Sequence, residues 1–263
     1  LSLVGSEMCI RDRIYRAYYA FIKNPRINSK GLNTSAILGF VNTLEEVLRK
    51  ENPTHIGIAF DPSGPTFRHE AYQAYKAQRE ETPEAIRQSV PIIKDIIRAY
   101  RIPILEVAGY EADDVIGTLA TEAGKRGITT YMMTPDKDYG QLVGEHVFMY
   151  RPKYGDKDFE IMGVNEVKAK FDIQSPLQVI DMLGLMGDTA DNIPGCPGVG
   201  EKTAQKLIAQ FGSIENLLTH TDELKGAIKK KVEENKEQIM FSKFLATIKT
   251  DVPVQLDMDA LKK

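Results

Sequence analysis

Cysteine and histidine are scarce in this chain of 263 residues, with two of the first and four of the second. The cysteines, Cys9 and Cys196, lie far apart and form no CxxC pair. Their placement argues against a disulfide framework or structural zinc and for a reducing compartment, the cytoplasm. No uninterrupted apolar stretch approaches the ~18–20 residues that a membrane helix needs, and no continuous apolar core marks a signal peptide. Solenoid periods and low-complexity tracts are missing too. What is present is a globular composition, 42% hydrophobic and 27% charged, enough for one large domain and a smaller appendage.

Acidic residues, by contrast, are plentiful and ordered. Eight of them fall in four tight groups: Asp61; Glu111, Asp113 and Asp114; Asp136 and Asp138; Asp188 and Asp191. Nearly all stand just beyond apolar runs. Carboxylates gathered this closely repel one another unless cations neutralise them, and oxygen ligands without His or Cys suit Mg²⁺ or Mn²⁺ rather than zinc. Two such ions ~3.5–4 Å apart can activate water, bridge a phosphate and stabilise a leaving oxygen. At Asp114 a plainer reading competes, since acids in a first helical turn are favourable partners of the helix dipole. The net charge is −3, and with the eight clustered acids set aside the remainder is positive. A basic surface around an acidic pit suits a phosphodiester substrate.

Periodicity places these acids in an α/β fold. Ile37, Phe40, Val41, Leu44, Val47 and Leu48 recur at helical spacing over 35–50, and a strand over 55–60 then ends at Asp61. A helix opens at Thr82-Pro83 with Ile86, Val90, Ile93 and Ile97 on one face. A strand over 103–107 leads to Glu111, Asp113 and Asp114 at the start of the next helix, and a strand over 128–134 delivers Asp136 and Asp138. Strands alternating with helices imply a largely parallel sheet, with ligands beyond the carboxyl ends of its strands. After about Met162 short helical runs take over, beginning with 164–171 and 177–186.

Two further segments point to nucleic acid. Gly198-Val199-Gly200-Glu201-Lys202-Thr203 sets a glycine turn before a helix, where backbone N–H groups can hold a phosphate; Lys202 and Lys206 lie one turn apart. It is not a Walker A loop. The segment from Phe67 to Arg79 interleaves Arg68, Lys76 and Arg79 with Tyr72 and Tyr75, bases for phosphates and rings for unpaired nucleobases. His69 reads as structural.

With these motifs in order, from Ile14-Tyr15-Arg16-Ala17-Tyr18-Tyr19-Ala20-Phe21 through Phe60-Asp61, Tyr75 to Arg79, Gly109 to Asp114, Thr134 to Asp138 and Gly187 to Ala204, the chain resembles the 5′ nuclease domains of bacterial DNA polymerase I, within the flap endonuclease superfamily. The resemblance implies an α/β, largely parallel-sheet, PIN-like nuclease core at 14–162 under a helical arch. It further implies a helical DNA-binding part at 163–263 with a helix-three-turn-helix element that binds a monovalent cation such as K⁺. Asp61, Glu111 and Asp113 match the ligands of one metal ion, and Asp136, Asp138 and Asp188 those of a second, with Asp113 able to bridge; Asp114 and Asp191 match outer members. Lys76 and Arg79 match contacts to the scissile phosphate that stabilise its growing charge, and Arg16 matches another phosphate contact. Tyr75 matches an arch position that could steer a frayed base, Arg68 reads as a DNA contact, and Gly198, Gly200, Lys202, Thr203 and Lys206 match the duplex-binding turn.

The implied activity is structure-specific 5′-3′ exonuclease and flap endonuclease cleavage of DNA in replication and repair. The implied substrate is a 5′ flap or nicked duplex, the implied protein a monomer in the bacterial cytoplasm at the nucleoid, with a polymerase domain as the partner to follow. The departure lies in residues 1–13, which do not resemble the family and read as a foreign segment. Cys9 stands where the family has a ligand aspartate, so the alternative is a branched-DNA binding module with impaired catalysis.

Overall fold

The computed structural model describes residues 2–4, 21, 23–79, 81–152 and 159–263. A six-stranded sheet in the order β3-β2-β1-β4-β5-β6 organises the first part. The strands are β1 Ser2–Val4, β2 Ile56–Ala59, β3 Ile104–Leu105, β4 Thr130–Met133, β5 Val147–Pro152 and β6 Phe159–Met162. All neighbours pair in parallel except β5 and β6, which are antiparallel. Ser2–Val4, from the segment read as foreign, occupies the middle of this sheet between β2 and β4.

β2 shows why the sheet needs cover on both sides. All four of its residues are buried. Ile56, Ile58 and Phe60 pack with Ala36, Phe40 and Leu44 of the helix Ser35–Lys50 and with Ile86, Ile93 and Ile97 of the helix Glu84–Ala99. Ala59 packs on the other side with Val115, Ile116 and Leu119 of the helix Ala112–Lys125. That makes three layers, the arrangement a parallel sheet requires.

The helix over 35–50 has the bounds its periodicity predicts, with Arg49 and Lys50 closing its last turn. Other bounds differ. The second helix starts one residue beyond Pro83, whose carbonyl accepts from the N–H groups of Ile86 and Arg87. The strands near 103–107 and 128–134 are shorter than their apolar runs. β5 and β6 were not foreseen, because both contain charged residues, Arg151 and Glu160, that blur the apolar pattern.

From Val164 onward the chain is helical, with helices at Val164–Phe171, Gln178–Met186, Glu201–Phe211, Ile214–Thr219, Gly226–Glu234 and Lys236–Ala246. Their apolar faces share one core with the helix Ala112–Lys125. The last residues return to the sheet as a strap. Lys249 N–H donates to Asp114 Oδ1 at 2.8 Å and Val252 N–H to Thr118 Oγ1 at 3.1 Å. Leu261 fills the space beside Gly57, where a Cβ would lie 2.7 Å from it, and Lys263 N–H donates to Thr54 O at 3.0 Å. Among the described residues no helix is long and apolar enough to cross a membrane.

Candidate metal centre

Three strand ends and one glycine-bounded loop deliver the acids. Beyond β2, Asp61 Oδ1 accepts from Ala112 N–H at 2.7 Å, so this carboxylate caps the helix that carries Asp113. Asp113 Oδ1 accepts from Tyr139 O–H at 2.7 Å. Beyond β4, Asp136 Oδ1 accepts from Asp138 N–H at 3.0 Å and starts the 3-10 turn Lys137–Leu142.

Asp188 and Asp191 lie on a loop closed by close backbone approach. Gly187 and Gly195 both have positive φ, 70° and 62°. A Cβ on Gly187 would stand 2.5 Å from Ile193 O, and one on Gly195 would collide with the Gly187 backbone. Only glycine permits that contact. Asp188 Oδ1 then accepts from Ala190 N–H at 2.8 Å.

The basic residues of 67–79 fold down onto this centre. After the short helix Phe67–Ala71 the chain turns, with Lys76 at φ 56° and its N–H donating to Asp191 O at 3.0 Å. Lys76 Nζ is paired with Glu111 Oε1, and Arg79 Nη2 stands 2.5 Å from Asp191 Oδ1. Tyr75 O–H donates to Glu111 Oε2 at 3.1 Å. From the acid side, Lys137 Nζ stands 2.8 Å from Asp188 Oδ2.

Electrostatics divides the acids into two kinds. Burial pushes the Glu111 carboxyl up, but Lys76 and Arg68 outweigh it and hold it at about 2. Burial, with Glu111 and Asp61 nearby, lifts Asp113 to about 7 despite Lys76. Burial and Asp113 lift Asp136 to about 7, and burial with Asp136 and Asp188 raises Asp138 well above the carboxylate range. Asp138 Oδ1 is buried without a hydrogen-bond partner.

Among the described residues no three His, Cys, Asp or Glu side chains already enclose a metal position. Lys76, Lys137 and Tyr139 engage oxygens of Glu111, Asp188 and Asp113 that a cation would take. The donor set nevertheless fits a hard divalent ion. It is all oxygen, short of positive charge, and includes one buried oxygen with nothing to bind.

Several expected roles are corrected by the positions found. Arg68, expected at DNA, is 2% exposed. Its Nε donates to Leu245 O at 2.9 Å, Nη1 to Glu111 Oε2 and Asp114 Oδ2 at 2.6 and 2.8 Å, and Nη2 to Asp114 Oδ1 and Thr247 O at 2.9 and 2.6 Å. All the donors of its guanidinium are spent inside the protein. Asp114, expected as an outer metal ligand, is fully buried and takes Arg68, Lys249 N–H and Glu111 N–H instead. Tyr75, expected to steer a base, is 4% exposed and points at Glu111.

Lys202 and Lys206 are exposed on the helix Glu201–Phe211, whose first turn has no side-chain cap, and Thr203 is half-buried there. Gly198 has φ 73°, and Gly200 leads into the helix. Arg16 and Cys9 lie outside the described residues. Tyr139 and Lys137 escaped the sequence reading. Lys137 could have been found, since it separates Asp136 from Asp138.

Comparison with known proteins places this geometry. Residues 11–172 match the model of the 5′-3′ exonuclease N-terminal resolvase-like domain, and residues 174–263 that of the 5′-3′ exonuclease C-terminal SAM fold. The chain belongs to the 5′-3′ exonuclease family. It is 44% identical over 245 residues to DNA polymerase I of Bacillus caldotenax, and 44% over 248 residues to that of Bacillus subtilis, covering 92% and 94% of this chain. The chain spans 28% of the length of each of these relatives. Its fold is shared with a zinc-bound structure of T5 5′-exonuclease, at TM-score 0.75 and 19% identity over 94% of this chain and 88% of that one. It is also shared with the catalytic core of Rad2 in complex with DNA substrate, at TM-score 0.58 and 15% identity over 98% and 81%.

Proposed function

We propose that this chain is a metal-dependent, structure-specific 5′ nuclease that hydrolyses DNA phosphodiesters at a 5′ flap or nick. The observation that carries the reading is the convergence of Asp61, Glu111, Asp113, Asp136, Asp138 and Asp188, with a buried oxygen of Asp138 unsatisfied. Asp61, Glu111 and Asp113 would hold one ion and Asp136, Asp138 and Asp188 a second, Mg²⁺ or Mn²⁺. Bound there, the ions supply a water nucleophile and charge for the phosphate oxygens.

The protein's own groups do the rest. Glu111 and Asp191 position Lys76 and Arg79 beside the acids, where they can meet a scissile phosphate and offset its growing charge. Tyr139 orients Asp113. In this reading the segment 67–79 belongs to the arch. The glycine turn at 198–200 with Lys202, Thr203 and Lys206 forms the helix-three-turn-helix grip on duplex backbone, with a K⁺ position. The nuclease core at 14–162 and helical part at 163–263 act as a monomer in the cytoplasm, joined in the whole protein to a polymerase domain, as the partial coverage of the relatives suggests.

Asp113→Ala decides the reading. Cleavage of a labelled flap in Mg²⁺ should fall by at least ~10²-fold, the order seen for loss of a major charge-stabilising group, while flap binding in Ca²⁺ is retained. Near-full cleavage would refute the assignment.

A further inference from the structure

One base of the centre, Lys137, has no part in the chemistry proposed above. Lys137 stands between two acids of the centre in sequence, on the 3-10 turn that Asp136 caps. Its ammonium leans from the rim, with the side chain 40% exposed, to Asp188 Oδ2 at 2.8 Å, where the carboxylate is only 10% exposed. Asp138 and Asp136 add their fields to that of Asp188. An ammonium here offers three N–H donors and one positive charge to oxygens that suit a divalent ion.

Resting on the function proposed above, we propose that Lys137 is the resident counter-ion of the second cation position and sets its affinity. With no ion bound it shields Asp188 and its neighbours from mutual repulsion. A divalent ion must displace it to reach the same oxygen. The protein thereby gives up metal affinity for integrity of the metal-free state. Lys76 and Arg79 stand in the same relation to Glu111 and Asp191, but the phosphate gives them a second destination; Lys137 needs none.

The test is Lys137→Met in the full chain, read by Mn²⁺ titration calorimetry and by thermal unfolding in chelator. The variant should bind Mn²⁺ at one position about ten-fold more tightly and unfold at lower temperature in chelator, with the difference closing in excess Mn²⁺. Lys137→Arg should restore the parent's behaviour. Lys137→Gln carries the same test if methionine hinders folding. Parental Mn²⁺ binding with no tightening in the variant overturns the inference. So does unchanged Mn²⁺ affinity with weakened flap binding in Ca²⁺, which would make Lys137 a DNA contact. A parent that binds no Mn²⁺ at all instead refutes the metal-centre reading itself.

Discussion

Arg68 and Asp114 face each other through two parallel hydrogen bonds, Nη1 to Oδ2 at 2.8 Å and Nη2 to Oδ1 at 2.9 Å, with side chains 3% and 0% exposed. The pair ties the segment 67–79 to the helix that carries Asp113. Because Arg68 also holds Leu245 O and Thr247 O, it joins the sheet part to the start of the returning strap. Replacing it with methionine leaves Asp114 buried without its main partner. Loss of one member of such a pair costs about 3–5 kcal/mol. Urea denaturation of Arg68→Met should show a loss of that order; a change below about 1 kcal/mol would mean that the pair is incidental.

Lys202 lies on the far side of the task, at the start of an exposed, uncapped helix. Its charge can serve any phosphate but carries no base information. Lys202→Ala should weaken duplex binding equally for unrelated sequences and lower the salt slope by roughly one counter-ion. Unaltered affinity and slope would reduce the glycine turn to a structural corner.

Gly195 tests the loop that presents Asp188 and Asp191. An alanine there would need φ near 62° and would drive its methyl group into the Gly187 backbone. Strain of this kind costs on the order of 1–3 kcal/mol. Gly195→Ala should therefore lower the melting temperature and weaken Mn²⁺ binding together. Stable protein with intact Mn²⁺ affinity would show that the loop has room to relax.

How much of this was legible beforehand depended on the range of each interaction. The helix Ser35–Lys50 could be read to its ends because Phe40, Leu44 and Val47 repeat within one helix and the basic end is local. The grouping of acids at strand ends was legible for the same reason, as each follows its own apolar run. Arg68 was not. Beside Phe67 and His69 it has the look of a phosphate ligand, yet its partner lies 46 residues away and the carbonyl of Leu245 177 residues away. Nothing nearby in the chain announces either. β6 escaped because this short edge strand buries only Met162, with Glu160 two residues before it.

The returning strap bears on how the two matched regions relate. The family's own division falls between residues 172 and 174, yet Ile248, Lys249, Val252 and Leu261, from beyond it, lie against Gly117, Asp114, Thr118 and Gly57 from before it. What looks like two modules in line is wound like a belt and its buckle. A fragment comprising only residues 1–173 should uncover apolar surface beside β2 and the helix Ala112–Lys125, and bind a hydrophobic dye that the whole chain excludes. If that fragment instead melts cooperatively and leaves the dye dark, the sheet part folds as an independent module. If the dye lights up, the residues beyond 173 complete a surface that the sheet part cannot cover by itself.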